Sequence, residues 1–390
     1  MKVILMNKNT EVLVAEYSTI LKGFEQVLEY KNIDYAPVII SDLFENNENI
    51  LNKLSDWFRG RGIPENRDLL YILLSKLNVS TPSELLDKAF GLSLSDQYWI
   101  KPYDEDIKYE DINFFENDFE SIEFTEATFS NEGLNASKIS LKTPNNTTDG
   151  MLRKSWVIKD GKRYLLKGGY INEQLQPFNE VLASMICDRL GFDHITYTID
   201  VIRNNVVSSC ECFINTDTEY VPAYQILNSV DRKSSKEDYK TYIKILKDKG
   251  IKNAKKKMDN MFILDYLMLN EDRHLNNFGV IRDVNTLEWL DIAPIFDTGQ
   301  SLKVASYTDD EMIIGGQGKF FYRVDRFEDI IKNITNLKSL DLSKLDGLVE
   351  EFDELLHKYQ HITNFSDKRI NKICLLLNSR INKLKSMIEI

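Results

Sequence analysis

A chain of 390 residues with 43% apolar and 11% aromatic side chains can bury on the order of 75% of its unfolded surface and is expected to form two or three domains. A net charge of −12 argues against nonspecific nucleic-acid binding by the whole chain, and four cysteines in this length do not make a disulfide framework. The opening Met1-Lys-Val-Ile-Leu-Met-Asn7 is too short for a signal h-region and no apolar stretch of about 18 residues occurs elsewhere, so a cytoplasmic protein without a membrane span is expected.

Residues 1–102 contain a helical pattern over 65–77, then Thr81-Pro-Ser-Glu84, a capping box with proline at the first helical position, and a short helix ending at Gly91. A mostly helical N-terminal module is the expectation, and a helix-turn-helix use of it finds no specific support in the residues. Residues 103–126 carry ten acidic side chains against one lysine, with Tyr109, Phe114, Phe115, Phe119 and Phe124 interspersed. A disordered linker lacks so many rings, so this acidic-aromatic segment is expected to dock on the core that follows. A β-rich small lobe over 127–215 and a mainly helical large lobe over 216–390 complete the predicted organisation.

Within the small lobe, Asn145-Asn-Thr-Thr-Asp-Gly-Met-Leu-Arg-Lys154 is polar, contains glycine and ends on basic residues, a composition suited to covering phosphates with N–H groups and cations. Thr148, Gly150 and Lys154 are its candidate binding residues, and Thr147 and Thr148 its candidates for self-modification. It is not a Walker A loop, since Gly-x4-Gly-Lys-Ser/Thr is absent. Two strands follow, 155–159 and 163–167, joined at Asp160-Gly161, a dipeptide that suits a tight hairpin. Lys167 closes the second strand, either to contact nucleotide α/β-phosphates or as a solvated strand end. Residues 177–191 begin on proline, end on glycine and repeat Phe178, Val181, Leu182, Met185 and Ile186 at helical spacing. Glu180 lies on the other side with Ala183, Ser184 and Cys187, small residues that admit another element. From there a glutamate can reach Lys167; the alternative is an exposed first-turn acid complementing the helix dipole.

Further along, Cys210 and Cys212 alternate onto one face of a strand-like run and read as burial. The basic run 247–257 reads as a solvated face, with an acidic protein or a lipid headgroup as the alternative. It precedes the most informative segment, Asn270-Glu-Asp-Arg-His-Leu-Asn-Asn-Phe-Gly279. Asp272 stands five residues before Asn277, and Phe296-Asp-Thr-Gly299 places Asp297 twenty residues further on. This Asp-x4-Asn then Asp-x-Gly order belongs to phosphoryl-transfer sites. Short strands over 278–282 and 287–292, with turn residues between them, are predicted to return the chain to the site as a hairpin. Gly299 is expected to let the backbone leave the aspartate at a φ closed to other residues. His357 and His361 lack cysteines nearby and read as a solvated helix face. In the basic segment 368–387, Ile370, Ile373, Leu377, Ile381 and Leu384 form a stripe expected to pack on the large lobe.

The chemistry explains these residue types. Phosphoryl transfer leaves the protein little covalent work: it positions the acceptor hydroxyl and neutralises charge on the transferred group with magnesium. Asp272 would accept or orient the acceptor's proton. Mg2+ takes hard oxygen ligands, with one or two carboxylates alongside substrate phosphates, and Asn277 and Asp297 supply such oxygens. The order of motifs thus suggests an ATP-dependent kinase.

The series Thr147-Thr-Asp-Gly-Met-Leu-Arg-Lys154, Tyr164-Leu-Leu-Lys167, Asn179-Glu180, Asn270-x-Asp-x-His-x-x-Asn277 and Asp297-x-Gly299 resembles the kinase core of HipA-like serine/threonine kinases, over roughly residues 130–385. Asp-Arg-His-x-x-Asn is also similar to the catalytic loop of phosphatidylinositol 3- and 4-kinases. In both families the histidine follows the catalytic aspartate, whereas ordinary protein kinases place it before. The resemblance implies an α+β, bilobal protein-kinase-like fold. It implies Asp272 as catalytic base with His274 beside it, Asn277 and Asp297 as metal ligands, and Lys167 as the nucleotide lysine. Glu180 and the loop to Lys154 follow, and Phe213 falls where the interlobe hinge would receive adenine. ATP and Mg2+ are the implied cofactors, a protein with a Ser/Thr acceptor the implied substrate, and a regulatory or antitoxin-like protein the implied partner. Residues 1–102 show no clear match to the small β-rich N-terminal domain of the family's toxin members.

Two rival functions fit the residues. A phosphoinositide-type lipid kinase would use the same loop on an inositol hydroxyl. A nucleotide-binding pseudokinase or adaptor would leave the work to the N-terminal module, and the joint presence of Lys167, Asp272, Asn277 and Asp297 weighs against it.

Overall fold

A computed structural model of the chain describes residues 1–41, 50–119, 121–129, 140–170, 174–230, 232, 234–302, 317–335 and 337–388. Four antiparallel strands, Lys2–Asn7 (β1), Thr10–Ser18 (β2), Gly23–Tyr30 (β3) and Tyr98–Pro102 (β4), form one sheet in the order β3-β2-β1-β4. Val3 and Leu5 enter a core with Leu54, Trp57 and Phe58. Ile4 and Met6, on the opposite face, enter another with Leu92, Trp99 and Phe114.

The mostly helical N-terminal module is therefore corrected. Residues 1–102 are built on a sheet, with the helices Ile50–Arg59, Leu70–Leu77 and Pro82–Lys88 beside it. Because β1 is covered on both faces, nearly every position is apolar and the period-two signal of a half-buried strand disappears. The helix expected over 65–77 starts only at Leu70, after Leu69 at φ 55°. Glu84 reaches back to the Ser80 N–H at 3.2 Å, and Thr81 makes no side-chain cap.

The acidic-aromatic segment is ordered through its rings. Tyr109, Phe114 and Phe119 are buried in the second core, which also holds Trp156 and Ile158. Phe124, on the helix Ile122–Phe129, enters a third core with Leu70, Leu73 and Leu85.

Two compact units divide the chain: residues 1–166 with 212–232 and 280–290, and residues 167–211 with 233–279 and 291–390. These bounds differ from the lobe limits expected after 126 and 215. Lys154–Lys159 (β5) turns into Lys162–Gly168 (β6) at Asp160 and Gly161, φ 51° and 76°, the left-handed pair that a two-residue hairpin requires. The hairpin predicted after the Asp-x4-Asn loop forms from Gly279–Asp283 and Trp289–Ile292. Asp283 Oδ1 accepts from the Asn285 and Thr286 N–H groups at its turn, 2.8 Å each.

In the second unit the helix Ala254–Met268 is buried on almost all sides. The helices Gln176–Leu190, Asp238–Asp248, Glu328–Ile331 and Asp367–Ile388 contact it. The predicted C-terminal stripe is buried throughout. Arg380, within the same helix, donates from Nε and Nη2 to the Tyr266 carbonyl at 3.2 and 3.1 Å. His357 and His361 lie on separate helices, Leu348–Lys358 and Gln360–Thr363, and His357 Nδ1 lies 3.1 Å from Asp353 Oδ2. All four cysteines are free. Among the described residues, no helix is long and apolar enough to cross a membrane, and no three or more His, Cys, Asp or Glu side chains gather as a metal site.

Candidate active site

Lys167, near the end of β6, is only 4% exposed. Its Nζ donates to Glu180 Oε1 at 2.6 Å and to Asp297 Oδ1 at 2.5 Å, and it stands 5.4 Å from the Tyr197 ring centre. Burial works against its charge, but Asp297 and Glu180 together outweigh burial and raise its pKa well above the usual lysine value. The strand-end lysine is thus a buried cation held by two carboxylates.

Glu180 reaches this position because the face it shares with Ala183, Ser184 and Cys187 is buried; small side chains there allow close approach. Its second oxygen accepts from the Thr298 N–H and hydroxyl, both at 2.9 Å. The neighbouring Asn179 donates from Nδ2 to the Gly299 and Ser301 carbonyls, 2.9 Å each. One helical turn therefore grips the whole Asp-x-Gly turn. The unusual φ in that turn falls on Asp297, at 55°, and not on Gly299. This corrects the role expected of the glycine. Aspartate tolerates the left-handed region better than most residues, and such strain gathers at functional positions.

The Asp-x4-Asn loop is braced by residues whose roles the motif did not disclose. Asp265, on the central helix, and Arg273 are both wholly buried. The guanidinium donates to Asp265 from Nε at 3.0 Å and from Nη2 at 2.9 Å. Its Nη1 donates to the Asn277 carbonyl at 2.8 Å and the Phe296 carbonyl at 2.7 Å. One nitrogen thus ties the end of the first motif to the start of the second. Asp265 outweighs the burial that opposes the Arg273 charge and holds its pKa above the ordinary value. The available signal was an aspartate inside the apolar run Met261-Phe-Ile-Leu-Asp-Tyr-Leu-Met268, which needs a buried partner.

Asp272 is part-exposed. Its Oδ1 accepts from Lys319 Nζ at 2.7 Å, and its Oδ2 lies 3.8 Å from His274 Nε2. Asn277 donates from Nδ2 to the Asp272 carbonyl at 3.0 Å, which directs its amide oxygen away from that carbonyl. Lys167, Glu180 and Asp297 are brought together as an ion-paired cluster, and Asp272, His274 and Asn277 as one loop. An Asn and an Asp suit Mg2+, which takes few protein oxygens when phosphates supply the rest.

The other candidates belong to the first unit. Thr148 is buried, and its Oγ1 donates to the Asn145 carbonyl at 3.2 Å and accepts from Arg67 Nη1 at 2.7 Å. Arg67 also donates to the Thr148 and Gly150 carbonyls. Gly150 has φ 96°, which requires glycine. Lys154 Nζ donates to the Asp149 carbonyl at 2.7 Å. Phe213 packs edge to face on Tyr220, centroids 5.9 Å apart.

Burial brings the Arg67 pKa down to about 10, with Asp149 acting in the opposite direction. Arg67→Met should destabilise the chain by about 1–3 kcal/mol, because buried carbonyls lose their donors. Arg67→Lys should restore little, since an ammonium cannot reproduce the fork. Denaturant unfolding checks both, and a wild-type midpoint for Arg67→Met would refute the clamp.

A strand lysine, a helix glutamate and the aspartate of an Asp-x-Gly turn, meeting in an α+β chain, define the protein-kinase-like class of fold. No protein-family model matches the chain. Over 230 residues it is 24% identical to the serine/threonine-protein kinase CtkA of Helicobacter pylori (strain J99 / ATCC 700824), a match covering 54% of this chain and 63% of the relative. It thus spans less than two thirds of that relative. A chain from the structure of the Shewanella oneidensis MR-1 toxin–antitoxin system HipA, HipB and its operator DNA matches 100% of this chain and 99% of its own length. The identity is 14% and the TM-score 0.57. The crystal structure of a Helicobacter pylori proinflammatory kinase CtkA matches 60% of this chain and 94% of its own, at 20% identity and a TM-score of 0.47. The chain has a HipA-like kinase fold and is related to serine/threonine kinases.

Proposed function

We propose that the chain is an ATP- and Mg2+-dependent protein kinase that transfers the γ-phosphoryl group to a serine or threonine hydroxyl. The observation that carries this reading is the Lys167 ammonium held 2.6 Å from Glu180 and 2.5 Å from Asp297. Burying an ion cluster is costly, and an ammonium fixed in this way is ready for nucleotide phosphates. Asp272 is the base that takes the acceptor proton, with His274 beside it. Asn277 and Asp297 are the residues that would hold Mg2+, which when bound neutralises charge on the phosphates. Thr148, Gly150, Lys154 and Phe213 are proposed nucleotide contacts. Autophosphorylation at Thr147 or Thr148 requires the loop to leave its seat, because the Thr147 hydroxyl donates to the Leu92 carbonyl at 2.7 Å and the Thr148 hydroxyl is also occupied. A regulatory, antitoxin-like protein is the proposed partner.

Phosphate transfer from γ-labelled ATP with Mg2+, offered cell-extract protein and lipid vesicles, tests the reading. Label on protein is expected, reduced by about 10²-fold or more in Asp272→Asn. Label on lipid alone would make the chain a phosphoinositide-type kinase, and ATP binding without turnover would make it a pseudokinase.

A further inference from the structure

Lys319 stands outside every motif read from the sequence. It lies on the short strand Gly318–Phe320, paired with Tyr322–Val324, and donates at 2.7 Å to Asp272 Oδ1. Its neighbours fix that strand from both ends of the catalytic segment. Phe320 packs 4.6 Å, centroid to centroid, from Phe262 on the helix that precedes the loop, and Phe321 packs 5.2 Å from Phe278 at the loop's end. A Cβ on Gly318 would come within 2.7 Å of Ile330 Cδ1, so the strand sits against that residue without spare room. An ion pair between two part-exposed groups adds little to stability. What sets this pair apart is its place, on the carboxylate of the Asp-x4-Asn loop.

We propose that Lys319 is a positioning residue for phosphoryl transfer. By occupying Oδ1 it turns Oδ2 toward the acceptor hydroxyl, and its charge offsets the repulsion between the carboxylate and incoming phosphoryl oxygens. The inference rests on the kinase reading above. In that step the acceptor O–H proton passes to Asp272 Oδ2 and the acceptor oxygen bonds to the γ-phosphorus. The bond from phosphorus to the bridging oxygen of ADP breaks, and its electron pair leaves with ADP. Lys319 itself transfers nothing.

The test uses the full chain with γ-labelled ATP, Mg2+ and cell-extract protein, in wild type, Lys319→Met, Lys319→Arg, Asp272→Asn and the Lys319→Met/Asp272→Asn double variant. Lys319→Met should lose roughly 10²-fold in transfer rate at saturating ATP. Its ATP affinity by titration and its unfolding midpoint should match wild type. Lys319→Arg should recover part of the rate. In the Asp272→Asn background the lysine change should cost nothing further, because its effect runs through that carboxylate. Transfer at the wild-type rate or faster in Lys319→Met overturns the inference. So does a loss confined to ATP affinity, or losses that simply add in the double variant. No transfer by the wild type would overturn the kinase reading and this inference together, whereas each preceding outcome leaves that reading standing.

Discussion

Lys167→Met is expected to lower phosphate transfer by about 10²-fold or more and to destabilise the chain by about 3–5 kcal/mol. Both follow from one geometry. Glu180 is 2% exposed, and without the ammonium it keeps only the Thr298 N–H and hydroxyl as donors, leaving a buried carboxylate with no cation. Asp297 has 28% of its side chain exposed, so solvent relieves its loss. Adding Glu180→Gln should return most of the stability, because the second change removes the stranded charge, while transfer stays lost. Thermal unfolding and the labelled-ATP assay separate the two effects. If the double variant is no more stable than Lys167→Met, the stranded charge is not the cause. If Lys167→Met transfers phosphate normally, the lysine has no part in holding nucleotide.

Asp265→Ala should be comparably damaging, again by about 3–5 kcal/mol, since it strands a guanidinium with no exposed surface. Asn270 loses a partner as well, its Nδ2 donating to Asp265 Oδ1 at 2.8 Å. Activity should fall with stability, because the same guanidinium positions the Asn277 and Phe296 carbonyls. Asp265→Ala combined with Arg273→Met should recover much of the stability, as apolar replacements of buried ion pairs often do. It should not recover transfer, because the Nη1 bonds to both motifs are gone. A wild-type unfolding midpoint for Asp265→Ala would show that the pair does not brace the loop.

The parts of the site legible in the sequence are those whose chemistry is local. Pro177 and Gly191 bracket a helix that runs Gln176–Leu190, and Gly191 takes the left-handed φ of 69° expected of a helix end. Asp160-Gly161 forms its hairpin, and Glu180 reaches Lys167. The parts that were not legible depend on what covers an element from afar. Lys319 meets Asp272 across 47 positions of sequence, and nothing in the composition of Gly318-Lys-Phe-Phe321 points to that carboxylate.

The N-terminal sheet makes the same point for the fold. Val3-Ile-Leu-Met6 is apolar at every position because helices cover one face and the acidic-aromatic segment the other, so no alternation marks it as a strand. Turns, caps and motif spacing are set by neighbours along the chain, which is why the Asp-x4-Asn and Asp-x-Gly motifs and the order of their residues could be read from the sequence. Distant packing set the rest: Asp265 and Arg273 brace the loop, Lys319 holds Asp272, and Asp297 takes the left-handed φ. Those outcomes depend on the free energy of bringing distant groups together in a shared core, which no local pattern records.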